Sequence, residues 1–218
     1  APRGNVLRVA MSVPAALEPP APVIALARAE GAAVKLTAAR RRVLDLLAEG
    51  PPRLAAELAR DAGVSPAVVR GLLKSGALRE VELPRPKAFA APDWRHAGHA
   101  LSPAQAAAAE TLAALLKRGS FAATLLDGVT GSGKTEVYLA AVAAALAAGK
   151  QALVLLPEIA LTPSWLDRFA ARFGCKPAAW HSDLSPRERV RSWRAIATGE
   201  ARVVVGARSA LFLPLAEL

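Results

Sequence analysis

Eight consecutive residues carry the clearest chemistry in this chain: Gly128-Val129-Thr130-Gly131-Ser132-Gly133-Lys134-Thr135. They satisfy the pattern G-x-x-x-x-G-K-[ST] at every fixed position. Glycines let a backbone wrap closely around phosphate oxygens, with N–H groups turned inward as an anion nest. A helix opening at the end of the loop adds the positive end of its dipole. Lys134 is placed to reach the β- and γ-phosphates of a nucleoside triphosphate, and the Thr135 hydroxyl to ligate Mg²⁺. ATP and Mg²⁺ are therefore the expected cofactors. Gly128, Gly131, Ser132, Gly133, Lys134 and Thr135 form the binding set, Lys134 and Thr135 are the catalytic pair, and Thr135 is the metal ligand.

Gripping phosphate is not hydrolysis, which also needs an acid at a strand end to hold Mg²⁺ and a group to orient water. Asp127 directly precedes the loop, on the wrong strand for that role. Glu158 ends the next strand after Pro157; Asp183 and Glu188 lie further on. None belongs to an acidic pair, so by residue chemistry alone the hydrolytic apparatus is incomplete.

The loop needs a strand before it and a helix after it. Ala122–Leu126 is a short apolar run that predicts the strand, and the helix runs to about Ala148. Around them, Ser102-Pro103 opens a helix to about Lys117, Gln151–Leu156 is a second buried strand, and Pro163–Phe173 is helical. Ala178–Trp180 is a third strand, Ser185-Pro186 opens a helix to about Thr198, and Arg202–Val205 is a fourth strand. Strands alternating with helices predict a parallel sheet covered on both faces.

The chain before Leu101 is organised differently. Pro2, Pro14, Pro19, Pro20 and Pro22 interrupt residues 1–34, which permit only short strands at Asn5–Val13 and Val23–Ala27. This stretch reads as the tail of a preceding domain and a linker. Residues 35–86 predict three short helices. Val43, Leu44, Leu46 and Leu47 mark the first. Leu54 and Leu58 mark the second, closed by Gly63. Val68, Val69, Leu72 and Leu73 mark the third, opened by Ser65-Pro66 and stopped by Gly76. Leu78–Leu83 follows as a half-buried strand, which completes a winged helix-turn-helix pattern. Residues 87–100 are a Pro-containing linker in which Trp94 is the candidate for docking onto a neighbour.

Of the 218 residues, 53% are hydrophobic and 21% charged, a globular balance. Lys and Arg outnumber Asp and Glu by 28 to 18, a net charge of +10 that suits a polyanionic partner. Cys175 is the sole cysteine, which excludes an intrachain disulfide and a four-cysteine zinc site. No apolar run reaches the roughly 18–20 residues of a membrane span, so no membrane partner is expected and a cytoplasmic setting fits. Ala1 rather than Met opens the chain, without a signal-peptide pattern, as in a truncated or processed protein.

Longer strings extend the pattern beyond the phosphate loop. Leu126–Tyr138 resembles the first helicase motif of the PriA family, the bacterial replication-restart helicases of superfamily 2, also called primosomal protein N′. Leu155–Thr162 is similar to the family's next motif. His181-Ser182 and Val205–Phe212 match those that follow, in order and spacing, across residues 101–218. The resemblance implies an ATP-dependent 3′-to-5′ DNA helicase that recognises stalled forks and restarts replication through primosome assembly. The fold it implies is a winged helix followed by a RecA-like P-loop lobe. It places Gln105 where the family reads adenine, and Thr162, His181, Arg208 and Ser209 where it faces a single DNA strand. Partners implied are forked and single-stranded DNA, single-stranded DNA-binding protein and primosome proteins. The chain stops before the family's second acidic motif. The second lobe and the zinc-binding cysteine pairs are absent, so zinc is expected only in the parent protein, and these residues alone are expected not to unwind DNA.

Two other readings use the same residues. A winged-helix regulator fused to an ATP-sensing P-loop domain would prefer one duplex sequence over random forks. A small-molecule kinase would turn over ATP without DNA and would need an acceptor pocket.

Overall fold

The computed structural model describes residues 13–30, 34–157 and 160–218. Residues 5–12 of the strand expected at Asn5–Val13, and Glu158, lie outside the described residues. The chain divides into two compact units. One is Pro20–Pro86; the other joins the described residues 13–19 to Lys87–Leu218.

The first unit holds β1 (Val23–Arg28), α1 (Ala38–Leu46), α2 (Ala55–Asp61), α3 (Pro66–Lys74) and β2 (Leu78–Leu83). Thr37 caps α1 by accepting from the Arg40 N–H at 3.3 Å. Ser65 stands at the N-cap position of α3 with extended backbone, but its side chain makes no capping hydrogen bond, and Pro66 alone sets the start. β1 and β2 pair antiparallel from Val23↔Leu83 to Arg28↔Leu78. Arg53, between α1 and α2, adds a bridge to Leu26. Leu26, Val43, Leu58, Val69, Leu72 and Leu78 meet in one buried cluster, so the helices and the two-stranded sheet share a core. Apolar residues at helical spacing on three short helices need that common core, because none is long enough to be stable alone.

The second unit contains α4 (Pro103–Arg118), α5 (Lys134–Ala147), β3 (Ala152–Leu155), α6 (Pro163–Phe173), β4 (Ala178–Trp180), α7 (Pro186–Ala197) and β5 (Val203–Gly206). The three strands are parallel in the order β3-β5-β4. Side chains alternate across a strand, and here they divide the core. Val204 and Leu153 pack with Ile196 and Ala195 of α7, whereas Val203, Ala152 and Val154 pack with Leu139 and Leu146 of α5 and Phe169 and Phe173 of α6. Helices therefore cover both faces of the sheet. Trp94 packs into the cluster around Phe169 and Phe173, and the Asp93 N–H donates to the Phe173 carbonyl at 2.9 Å.

Gln151 is a buried polar residue whose bonding is complete. Its Nε2 donates to the Ile196 and Ala201 carbonyls at 3.0 and 2.9 Å, and its Oε1 accepts from the Ala216 and Glu217 N–H groups at 3.0 Å each. It joins the end of α7 to the last residues of the chain at the start of β3.

One expected strand is corrected. Ala122–Leu126 has no regular secondary structure, and Phe121, Leu125 and Val129 are exposed. Strand formation depends on a neighbouring edge that supplies hydrogen bonds as much as on residue type. Among the described residues, the β3-β5-β4 sheet includes no pairing with this run.

Candidate nucleotide-binding site and nucleic-acid edge

The phosphate loop is shaped by local conformation. Gly131 and Gly133 adopt φ of 82° and 79°, in the left-handed region that favours glycine. Gly133 is the N-cap of α5, so the helix opens at Lys134. The loop's glycines thus supply the turn, and α5 points its N-terminus at the cradle.

Lys134 folds back over this cradle. Its Nζ donates to the carbonyl oxygens of Gly128 and Val129 at 2.5 and 2.9 Å. The ammonium is held within the loop, and a phosphate oxygen has to outcompete two neutral carbonyls to draw it away. Charge favours that exchange, since a bond between two ionised groups is stronger than one to a carbonyl. Asp127 supports the loop structurally. Its Oδ1 accepts from the Gly128 N–H at 2.7 Å and steadies the first residue of the loop.

Gln105 is brought onto the loop from α4. Ser102 and Gln105 form a reciprocal capping box, with Ser102 Oγ accepting from the Gln105 N–H at 3.3 Å and Gln105 Oε1 accepting from the Ser102 N–H at 2.8 Å. That fixes the amide so that Nε2 donates to the Ser132 carbonyl at 2.8 Å. A methyl group at Gly133 would collide with the same Nε2. The two parts of the expected nucleotide site, 27 residues apart, are in direct contact.

The other expected contacts follow the carboxyl ends of the parallel strands. His181 directly follows β4, Arg208 and Ser209 lie two and three residues beyond β5, and Thr162 stands between β3 and α6. Parallel strands present all their carboxyl ends at one edge, where open α/β sheets carry their ligands. Arg208 and Ser209 are exposed on a 3-10 turn, and His181 is half-buried. Thr162 already has a role, since its Oγ1 caps α6 by accepting from the Trp165 N–H at 3.3 Å. Gly206 keeps β5 close to β4. A Cβ there would lie 2.5 Å from the Trp180 carbonyl oxygen and 2.9 Å from the Ala210 Cβ.

Asp183 and Glu188 are spent on loop and helix ends. Asp183 Oδ1 accepts from the Ser182 hydroxyl at 3.0 Å. Glu188 closes a capping box on Ser185, and the Ser185 hydroxyl bond, then its N–H bond, hold the Glu188 carboxyl below the ordinary glutamate range. Cys175 lies 3.5 Å from the Ala90 carbonyl, and burial pushes its thiol up, away from the reactive thiolate.

Sequence reasoning missed Arg189, whose guanidinium bonds three carbonyls of the loop after β4. Its position gave no signal beyond a charge one residue past a capping box. The Ser102–Gln105 box was legible as S-x-x-Q at a helix start, but its contact with Ser132 was not.

A phosphate loop opening a helix beside a parallel sheet covered on both faces defines a RecA-like P-loop fold. A model of the DEAD/DEAH box helicase family matches residues 102–217, and the chain belongs to that family. It is also similar to curated proteins named Replication restart protein PriA. The Bacillus subtilis (strain 168) protein is 42% identical over 172 residues, which cover 78% of this chain and 21% of the relative. The protein from Synechocystis sp. (strain ATCC 27184 / PCC 6803 / Kazusa) is 38% identical over 208 residues, covering 94% of this chain and 24% of the relative. The Haemophilus influenzae (strain ATCC 51907 / DSM 11121 / KW20 / Rd) protein is 46% identical over 104 residues, 48% of this chain and 14% of the relative. The chain thus spans less than a quarter of the length of these relatives. No helix among the described residues is long and apolar enough to cross a membrane.

Proposed function

We propose that this chain is the first motor lobe, with a winged-helix unit before it, of an ATP-driven 3′-to-5′ DNA helicase that acts at stalled replication forks. The observation that carries the reading is the Lys134 ammonium poised inside a glycine loop at the start of α5, in a chain similar to replication restart proteins along most of its length. Gly128, Gly131, Ser132 and Gly133 would cradle the phosphates, Lys134 would exchange its carbonyls for the β- and γ-phosphates, and Thr135 would hold Mg²⁺. Bound Mg²⁺ would offset the negative charge of the β- and γ-phosphates, and the chain's own groups would orient them. Gln105 reads adenine. Thr162, His181, Arg208 and Ser209 hold a single DNA strand at the carboxyl edge of the sheet, Arg208 by a bond to phosphate.

Residues 35–86, within the unit Pro20–Pro86, take the winged-helix role. The unit's three helices, its antiparallel β1–β2 pair and the Arg53 bridge support that assignment. Forked and single-stranded DNA, single-stranded DNA-binding protein and primosome proteins are the partners in this reading, and the cytoplasm the setting. Coupling works by closure of this lobe and a second one around ATP.

The test is Lys134→Ala with a fluorescent ATP derivative and Mg²⁺. Affinity should fall roughly 10- to 100-fold, the scale of one or two charge-assisted hydrogen bonds, with the melting temperature unchanged. Equal affinity in the two proteins would remove the phosphate-loop assignment.

A further inference from the structure

The connection between β4 and α7 is organised by one side chain. Arg189 Nη2 donates to the carbonyl oxygens of His181 and Ser182, both at 2.9 Å, and its Nε donates to the Leu184 carbonyl at 3.2 Å. Its guanidinium carbon lies 5.4 Å from the centroid of the Trp180 ring. Three of the four residues between the β4 end and the Ser185 cap therefore turn their carbonyls onto a single group. The far end is closed by the Ser185–Glu188 box. Carbonyl oxygens and phosphate oxygens repel. A loop that presented its carbonyls outward would discourage a nucleic-acid backbone. Drawn inward onto a guanidinium, the carbonyls leave the half-buried His181 to meet it, beside the exposed Ser182, whose hydroxyl donates to the Asp183 carboxylate at 3.0 Å.

From this geometry we infer that Arg189 is a positioning residue for single-stranded nucleic acid: it holds the His181–Leu184 loop in the conformation that accepts a phosphodiester. The inference rests on the DNA-contact reading of the sheet edge given above. It assigns Arg189 a role that its charge alone cannot fill. A guanidinium is a rigid planar fork able to serve several acceptors at fixed angles, whereas a lysine ammonium is a point charge on a flexible stem. Arg189→Lys therefore keeps the charge and removes the fork.

The experiment titrates a fluorescein-labelled oligothymidylate into wild type and R189K at several salt concentrations. A fluorescent ADP derivative and a thermal melt serve as controls. R189K should bind the oligonucleotide about tenfold more weakly, the scale of one charge-assisted hydrogen bond. The salt slope and nucleotide affinity should be unchanged, and amide hydrogen exchange over residues 181–184 should be faster. If R189K does not fold, Arg189→Gln is used under the same affinity and exchange criteria, because its amide still donates to one carbonyl. Unchanged oligonucleotide affinity in the folded variant overturns the positioning role while leaving the DNA reading intact. A wild-type protein that does not bind the oligonucleotide overturns both.

Discussion

Gln105 Nε2 donates to the Ser132 carbonyl oxygen at 2.8 Å, so the first turn of α4 is fastened to the phosphate loop. Both ends of this amide are engaged, because its Oε1 accepts from the Ser102 N–H at 2.8 Å. An amide that reads adenine from here has to release these bonds, or use the second lone pair of Oε1 and the second hydrogen of its NH₂ group. The same side chain is thus a strut for the loop and the base-reading group in the proposed site.

These two roles separate by ligand. A residue that only reads the base should matter for ATP and not for inorganic triphosphate. A strut should matter for both. Gln105→Ala is expected to weaken triphosphate binding by roughly five- to tenfold, the scale of one hydrogen bond, and ATP binding by more, because the base contact is lost as well. Competition titrations against a fluorescent nucleotide measure this. A loss confined to ATP would assign Gln105 to base recognition alone.

Gly133 is held at a φ of 79°, and a Cβ there would meet Gln105 Nε2. Gly133→Ala should therefore cost about 1–2 kcal/mol for the left-handed conformation, with a further loss from the collision. Nucleotide binding should also weaken, because the collision displaces the Gln105 amide from the loop. Adding Gln105→Ala removes the collision and leaves the strain. The double variant should lose less in melting temperature than the sum of the two single losses. Melting temperatures that simply add would show that the two residues do not press on each other.

Arg208 is exposed on the turn after β5, at the carboxyl edge of the sheet. If it bonds one phosphate, Arg208→Ala should make the plot of log K against log salt shallower by about 0.7 on single-stranded DNA, with little effect on the melt. A slope equal to wild type would place Arg208 away from the bound strand.

The Glu188 carboxyl is held below its ordinary range, first by the Ser185 hydroxyl and then by the Ser185 N–H. A carboxyl more acidic in the folded than in the unfolded protein stabilises above its unfolded pKa, and that contribution fades as pH falls through the folded value. Glu188→Gln should therefore melt below wild type near neutral pH. The gap should narrow as the pH drops below the ordinary glutamate range. A gap independent of pH would mean that ionisation of the Glu188 carboxyl contributes nothing to the cap.

The features legible in the sequence are those whose causes lie within a few residues. Ser102-Pro103 and Ser185-Pro186 mark helix starts because a cap bonds the N–H three residues on, and both capping boxes form. The phosphate loop is legible for the same reason, since its conformation is set by its own glycines. Ala178–Trp180 was legible as a strand, and it forms against β5. Ala122–Leu126 has the same apolar character and forms no strand, because a strand exists only where an edge completes its ladder, and residue type cannot report whether one is near. The cap at Ser65 shows the limit at the smallest scale: the residue stands where expected, yet its hydroxyl bonds nothing in the helix. Of the site, the tertiary structure decided the contact of Gln105 with Ser132, the fold-back of Lys134 and the gathering of three carbonyls by Arg189. Each depends on side-chain direction, and two of them join separate elements. Spacing along the chain specifies which residues are available for such bonds, and packing decides which of them meet.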